Sequence, residues 1–314
     1  GASTSGDNSN ASTPLSSGNT SRGGAANGGT NAGGTPMSGG DTSRGGATNG
    51  GTNAGGTVIV TSGGSAAGGT APASGGTTST SGSTGCAGSS FQLSWQDDFD
   101  NLNTSRWQFM THTLGVSQFT ATNAQVSGGM ATLSLTDSPS GSAMPFQGVE
   151  MRSKETITYG KVESRIRFAK GSGVISALVL IYTPWPPPDW NELDIEFLGK
   201  STNQVQFNTM INIPPADPQT GHLQYPKVVT LGFDATSEFH TYAVEWVPGS
   251  ARFLVDGVVQ YTATEQMSRM VLPQNILLTI WASDSASWAG ATNDATAPTT
   301  VQYDWVRVCR YVGA

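Results

Sequence analysis

Basic residues are scarce in this 314-residue chain. It has 15 Lys and Arg against 22 Asp and Glu, a formal net charge of −7, and no cluster of basic residues. Because a nucleic-acid binder needs a basic face that releases counterions from phosphates, this balance excludes nucleic acid as a partner. No apolar run approaches the roughly 18 residues that a membrane-spanning helix needs, so no transmembrane segment is expected.

Aromatic residues are absent from the first 90 positions, which hold 26 of the 41 glycines and only four charged residues. Residues 13–34 are repeated as residues 35–56 with four differences. Such a segment has too little apolar surface to offset its ordering entropy, so we expect residues 1–88 to be a disordered spacer. Residues 89–314 hold all 26 aromatic residues and are expected to form one folded domain.

The start of the chain leaves its location open. It opens on GASTSGDNSN, in which no signal peptide is visible, so a trimmed exported protein and an intracellular protein both fit. Gly/Ser/Thr/Asn-rich spacers commonly hold a secreted domain away from a surface or a partner module. We therefore expect a protein that is secreted or tethered outside the cell.

Only two cysteines are present, Cys86 and Cys309. They have no C-x2-C spacing, which argues against a metal site of that kind. Both thiols being free is one interpretation. The other is a disulfide that joins the first and last strands of a secreted β domain, where the termini often lie side by side.

Short β-type runs separated by Gly, Pro, Asn and Asp fill the chain from residue 91 onward, and no segment carries a sustained helical stripe. Residues 252–259 form a hairpin pattern with Asp256-Gly257 at the turn. Closely spaced strands without alternating helices predict an all-β fold, and we expect a jelly-roll β-sandwich.

The run from residue 190 to 197, WNELDIEF, carries the strongest chemical signal. On a strand, Glu192, Asp194 and Glu196 would share one face, while the apolar residues between them face the core. A solvated outer face is the alternative, but like charges crowded on one face are destabilising. Two Glu side chains leaning over a concave sheet suit a retaining glycosidase, with a nucleophile, an acid/base and an assisting Asp between them.

The segment ELDIEFLGK resembles the catalytic strand of family 16 glycoside hydrolases, most closely the bacterial β-1,3-1,4-glucanases (lichenases). The similarity extends to VEMRSKETITYGKVESRIRFAKGSGVISALVLIYT, KSTNQVQFN and VQYDWV, so it covers the folded domain and none of the spacer. The resemblance implies that Glu192 is the nucleophile, Asp194 its assistant and Glu196 the acid/base.

The resemblance also implies a set of substrate-binding positions in the cleft. They are Glu150, Arg152, Tyr182, Trp190, Gln206, Asn208, Trp281 and Trp288. Two alternatives stay open: a tryptophan of a sandwich is more often core than sugar platform, and Arg152 can simply pair with Glu150. The scattered histidines, His112, His222 and His240, form no metal-ligand spacing and are not expected to catalyse.

Several positions depart from the lichenase pattern. Asn191, Thr209, Met210 and Ala282 stand where lichenases carry Asp, two tyrosines and Asn, and Gly148 replaces a disulfide cysteine. We expect these changes to touch the substrate-binding walls rather than the three acids, which leaves the linkage preference open.

No cofactor is expected in the chemistry. The family often binds a structural Ca²⁺, and the resemblance assigns its ligands to Asp304 and the backbone oxygen of Gly129, oxygen ligands being those Ca²⁺ prefers. An ordinary strand-edge acid is the alternative for Asp304.

These observations predict a monomeric endo-β-glucanase that cleaves internal β-1,4 links of mixed-linkage β-glucan. One alternative is a transglycosylase or hydrolase of another glucan, such as xyloglucan or β-1,3-glucan. The other is a carbohydrate-binding module without catalysis, although such a module has no reason to align three acids.

Overall fold

The computed structural model describes Cys86 and residues 90–184, 190–212 and 222–313. The predicted spacer, residues 1–88, lies outside these residues except for Cys86. The strands, in chain order, are β1 Phe91–Asp97, β2 Trp107–Phe109, β3 Thr113–Leu114, β4 Ser117–Phe119, β5 Ala124–Val126, β6 Ala131–Asp137, β7 Phe146–Ile157, β8 Gly160–Arg167, β9 Val174–Ile181, β10 Asn191–Leu198, β11 Gln204–Ile211, β12 Leu223–Gln224, β13 Lys227–Thr230, β14 His240–Val247, β15 Ser250–Val255, β16 Val258–Ala263, β17 Gln274–Ala282 and β18 Thr299–Tyr311.

Helical structure is minor within the described ranges. One α-helix of four residues, α1 (Ala286–Ala289), follows β17. Two 3₁₀ turns span Ala121–Asn123 and Met267–Arg269. In the described part of the chain, no helix is long and apolar enough to cross a membrane.

The strands form a curled, almost entirely antiparallel sheet that folds over itself as two layers, which confirms the predicted jelly-roll β class. The cleft sheet runs in the order β2-β7-β17-β9-β10-β11-β13. The outer sheet runs in the order β5-β6-β18-β8-β14-β15-β16, with β1 beside the second half of β18. A short β6–β7 pairing connects the layers, and β4 adds one parallel pairing to β7.

The core lies between the two layers and is strongly aromatic. Phe197 of the cleft sheet stacks on Phe168, with ring centroids 4.9 Å apart, and Phe207 stacks on Phe253 of the outer sheet at 5.0 Å. Each fully buried side chain of this size contributes about 1.5–3 kcal/mol. This packing fixes one face of the cleft sheet inward, so the alternate residues of its strands face away from the core.

The hairpin predicted at residues 252–259 is confirmed. Its turn is Asp256-Gly257, and both residues have positive φ, 48° and 76°. A two-residue turn with left-handed backbone at both positions matches the twist of the paired strands β15 and β16.

The two cysteines are bonded to each other, with their Cα atoms 5.8 Å apart. The register explains the bridge, since β1 runs beside β18 and Leu93 faces Cys309. The disulfide therefore joins the segment before the first strand to the last strand. Of the two interpretations of the cysteines, the disulfide is confirmed.

Candidate active site

The central strand of the site is β10, which presents its three acids to the cleft. Its apolar residues Leu193, Ile195 and Phe197 are buried in the core between the layers. Because side chains alternate along a strand, Glu192, Asp194 and Glu196 project from the opposite face. The single-face stripe expected from the sequence is thus present.

Neighbouring strands supply the residues on either side of the acids. On β11, Met210, Asn208 and Gln206 face Glu192, Asp194 and Glu196 respectively. On β9, the facing residues are Ile181, Val179 and Ala177. The cleft above this sheet is lined by Leu114, Glu150, Ala177, Val179, Ile181, Trp190, Glu192, Asp194, Glu196, Met210, Leu277, Thr279 and Trp281.

Two side chains donate hydrogen bonds to the carboxyl group of Glu192. The indole Nε1–H of Trp190 donates to its Oε2 at 2.7 Å, and Asp194 donates a second bond from its side chain. Burial raises the pKa of Glu192 to about 7, these two bonds hold it down, and the charge of Glu150 adds to the rise. Donors that favour the ionised form suit a nucleophilic carboxylate.

Glu196 has one such donor. The Nε2–H of Gln206 donates to its Oε2 at 2.8 Å, and the Oε1 of Gln206 accepts from the Nε1–H of Trp288 at 3.2 Å. Burial, followed by repulsion from Glu192, raises the pKa of Glu196 to about 8, against the lowering effect of Gln206. The pKa of Glu196 is thus raised, as that of Glu192 is, with fewer donors to favour the ionised form of Glu196.

Asp194 lies between the two glutamates and is 2% exposed. Burial and then repulsion from Glu192 and Glu196 raise its pKa well above the ordinary value for an aspartate. It therefore holds a proton, which it donates to Glu192. Its Oδ1 has no hydrogen-bond partner among the described residues, which fits a group that acts on its neighbour.

Glu150 and Arg152 lie on β7 at the side of the same cleft. The Nε and Nη2 atoms of Arg152 contact Glu150 Oε1 at 2.7 Å and 2.5 Å. Glu150 also contacts His112, whose Nε2 lies 2.9 Å from its Oε2. Arg152 thus pairs with Glu150, which was one of the alternatives for this arginine. Glu150 also lines the cleft.

Trp190 and Trp281 are both buried, and both line the cleft. Each of them is 5% exposed. The ring of His222 stacks on Trp190 with centroids 4.2 Å apart, and Trp288 packs against Trp281 at 6.0 Å. Their role as sugar platforms stays a prediction, and their burial gives each of them a packing role as well.

Five predicted substrate residues are not among those that line this cleft: Arg152, Tyr182, Gln206, Asn208 and Trp288. Gln206 and Trp288 line a second depression of the surface instead. Tyr182 follows the last residue of β9, and the side chain that reaches the cleft at this end of the strand is that of Ile181. Asn208 faces Asp194, but its Oδ1 accepts the backbone N–H of Tyr225 at 3.1 Å. Alternate residues of β9, namely Ala177, Val179 and Ile181, face the cleft. This alternation in the sequence is the signal that places Ile181, rather than Tyr182, at the cleft.

Three of the departures from the lichenase pattern, Asn191, Thr209 and Ala282, are not among the residues that line the cleft, so the expectation that they touch substrate-binding walls is wrong for them. Thr209 and Ala282 have no exposed surface. Asn191 accepts the backbone N–H groups of Val271 and Leu272 through its Oδ1, at 2.7 and 3.0 Å. In the described part of the chain, Met210 is the one that lines the cleft.

Gly148 could not carry the missing cysteine without movement of the backbone. A Cβ at this position would lie 2.4 Å from the carbonyl oxygen of Ile280 on the neighbouring strand β17. Only a residue without a side chain fits so close an approach.

The proposed calcium ligand Asp304 is already paired. Its Oδ2 accepts from the Nη1 of Arg165 at 2.6 Å, and the described residues contain no group of three or more His, Cys, Asp or Glu that could hold a metal. A cation at the same oxygen would compete with the Arg165 guanidinium. Calcium binding at Asp304 and Gly129 stays a prediction, and no step of the chemistry depends on it.

Comparisons with known proteins agree with this geometry. The model of the glycosyl hydrolases family 16 matches residues 111–307. The β-glucanase of Bacillus subtilis (strain 168) is 35% identical over 220 residues, 68% of this chain and 85% of that protein. The β-glucanase of Bacillus licheniformis is 36% identical over the same shares.

Solved structures give the same result. A β-1,3-1,4-glucanase (lichenase) from a mouse hindgut metagenome has a TM-score of 0.60 at 31% identity, over 68% of this chain and 97% of that one. The Bacillus licheniformis β-glucanase has a TM-score of 0.60 at 33% identity, over 70% and 98%. A laminarinase catalytic domain from Thermotoga maritima shares the fold alone, at 21% identity with a TM-score of 0.59. This chain belongs to family 16 of the glycoside hydrolases.

Proposed function

We propose that the protein is a retaining endo-β-glucanase that hydrolyses internal β-1,4 linkages of mixed-linkage β-1,3-1,4-glucan. The observation that carries the proposal is the unequal environment of the two glutamates on β10. Burial raises the pKa of both, and the charged form is favoured by two hydrogen bonds at Glu192 but by only one at Glu196. Paired carboxyls in unequal environments take the two roles that this reaction needs.

In the first step, the ionised carboxylate of Glu192 attacks the anomeric carbon while the glycosidic C–O bond breaks. The proton of Glu196 passes to the departing oxygen, which leaves a covalent glycosyl-enzyme on Glu192. The hydrogen bond from Asp194 orients Glu192 and supports its charge before attack.

In the second step, Glu196 acts as a base. It takes a proton from a water molecule whose oxygen attacks the same anomeric carbon, and the bond to Glu192 breaks. The sugar is released with its original anomeric configuration, and both carboxyls return to their starting protonation states.

The choice of mixed-linkage glucan rests on similarity to proteins named as β-glucanases and lichenases. Met210 lines the cleft opposite Glu192, where the lichenase pattern has a tyrosine. Release of reducing sugar from barley β-glucan, xyloglucan, laminarin and chitin derivatives tests this part. Fastest release from laminarin or xyloglucan would move the substrate to those glucans, and binding without release would favour a non-catalytic module.

The assignment of roles is tested by azide rescue of two variants on an activated aryl β-glycoside. Glu192→Ala cannot form the covalent intermediate, so azide attacks once and gives the α-glycosyl azide. Glu196→Ala still forms the intermediate because the leaving group needs no proton, and azide then gives the β-glycosyl azide. The β-azide from the Glu192 variant would reverse the two roles. Full activity of either variant would refute the mechanism on this strand.

We also propose that the enzyme acts outside the cell as a monomer. The low-complexity spacer predicted for residues 1–88 and the Cys86–Cys309 disulfide both suit an oxidising, extracellular setting. Light scattering on the purified protein measures its mass and tests the monomeric state. Recovery of the protein from the culture medium tests its location outside the cell.

A further inference from the structure

His112 is a buried titratable residue beside the cleft that the reaction described above does not use. It lies between β2 and β3, and its side chain is 6% exposed. The edge of its ring meets Phe119 of β4, with centroids 5.0 Å apart. The backbone holds it in place, since the N–H of Phe119 donates to the carbonyl oxygen of His112 at 3.0 Å.

Both ring nitrogens of His112 face oxygen atoms. Nε2 lies 2.9 Å from Glu150 Oε2, and Nδ1 lies 3.2 Å from the carbonyl oxygen of Thr113. The carbonyl can only accept a hydrogen bond. The other carboxyl oxygen of Glu150, Oε1, accepts two contacts from Arg152, and Oε2 faces the ring as an acceptor in the same way.

This geometry favours a charged ring. A neutral imidazole has one N–H and one lone pair, so one of its nitrogens would present a lone pair to an acceptor oxygen. Only the imidazolium, with a hydrogen on each nitrogen, satisfies both partners at these distances. The direction of the pKa agrees: burial lowers the pKa of His112, but the hydrogen bond and charge of Glu150 and the Thr113 carbonyl outweigh this and raise it.

We propose that His112 is a positioning residue of this enzyme: as an imidazolium it holds Glu150 at the cleft wall and offsets its charge beside the nucleophile Glu192. The inference rests on the proposed function for its effect on catalysis, but the pairing itself does not. The charged groups that face His112 are Glu150 and Arg152, both on β7, while β3 offers a carbonyl and β4 an apolar ring.

His112 affects catalysis by way of the charge of Glu150. That charge raises the pKa of Glu192, and a cation bonded to Glu150 opposes this effect. Loss of the His112 charge should therefore raise the pKa of Glu192 further. Because Glu192 must be ionised to attack, the acid limb of the pH profile of kcat/KM should move to higher pH.

The first measurement is the titration of the histidine ring by NMR in the full chain. The chain has only three histidines, so His112→Gln and His240→Gln assign the signals. We expect the pKa of His112 to lie above the ordinary 6.5 in the wild type and to fall in Glu150→Gln. A wild-type pKa at or below 6.5, or no response to Glu150→Gln, would overturn the proposal.

The second measurement compares pH profiles of kcat/KM. His112→Gln keeps one donor to Glu150 and loses the charge, so we expect its acid limb to move up by about half a pH unit, a roughly threefold loss on the acid side. His240→Gln is the matched control, because His240 also contacts a carboxylate, Asp256 at 2.7 Å, on the outer-sheet hairpin. An unshifted His112→Gln profile, or an equal shift in the control, would refute the positioning role.

The two measurements separate this proposal from the proposed function. If the wild type released sugar from no glucan, the proposed function would fail, while the NMR titration would still decide whether His112 and Glu150 form a charged pair. If His112→Gln did not fold, the wild-type titration and Glu150→Gln would decide the same question.

Discussion

The raised pKa of Glu196 predicts that Glu196→Gln makes the folded protein more stable at alkaline pH. Burial and repulsion from Glu192 place this pKa at about 8, against about 4.5 for an exposed glutamate. Each pH unit between the two values corresponds to about 1.4 kcal/mol, which would amount to about 5 kcal/mol in full. Because Glu196 is only half-buried at the cleft, solvent screens part of this cost, and we expect about 2 kcal/mol.

The pH dependence has a definite sign. A carboxyl whose pKa is raised by folding binds its proton more tightly in the folded state, so ionisation destabilises the fold. The cost is absent below about pH 4.5, grows as the pH rises, and is complete above about pH 8. The Gln variant cannot ionise, and its carbonyl oxygen can still accept the bond from Gln206.

Thermal unfolding at two pH values measures the effect. We expect Glu196→Gln to match the wild type at pH 4 and to raise Tm by about 4–8 °C at pH 8.5, given about 2–4 °C per kcal/mol for a domain of this size. Glu155→Gln removes an exposed glutamate of β7 and is the control for loss of one negative charge. A Tm at pH 8.5 that is unchanged or lowered, or a gain of the same size at pH 4, would refute the argument.

Three further outcomes follow from individual contacts. Gln206→Ala removes the bond that lowers the pKa of Glu196, so the basic limb of kcat/KM should move to higher pH, and a move to lower pH would contradict this. Replacing Cys86 or Cys309 by Ser should cost about 2–5 kcal/mol of unfolding free energy in denaturant titrations, with an unchanged midpoint as the contrary result. If Ca²⁺ binds at Asp304, EDTA should lower Tm and added Ca²⁺ should restore it, whereas an unchanged Tm would leave the pair of Asp304 with Arg165 as the sole role of this carboxylate.

Local alternation was enough to predict the catalytic strand, because the positions of Glu192, Asp194 and Glu196 depend only on the period of two along β10. The assignment of Tyr182 came from the family resemblance rather than from this rule, and its role in substrate binding stays a prediction. Tyr182 lies one residue beyond the strand, where its backbone N–H bonds to the carbonyl of Asn191, and the cleft position belongs to Ile181. Strand ends are set by pairing with a neighbour, which a single sequence does not display.

Contacts between segments that are distant in sequence were also not predicted. His112 and Glu150 are 38 positions apart and meet because β2 pairs with β7. Asn191 meets the backbone of residues 271 and 272 for a similar reason, since β17 lies beside β9 and its preceding loop reaches the start of β10. No pattern along the chain marks either contact. The sequence therefore did not indicate that His112 contacts Glu150, and it predicted wrongly that Asn191 lies at the substrate-binding wall.

The same electrostatic conflict that destabilises this cleft also underlies the chemistry that we propose for it. Three acids on one face of a buried strand cannot all ionise, so protons remain on the groups with fewer donors. In that chemistry Glu192, which receives bonds from Trp190 and Asp194, loses its proton first, while Glu196, with Gln206 alone, keeps one. A substitution that removed this conflict would be expected to raise stability and lower turnover together, because the repulsion that costs folding energy is what holds a proton on the acid when the nucleophile is charged.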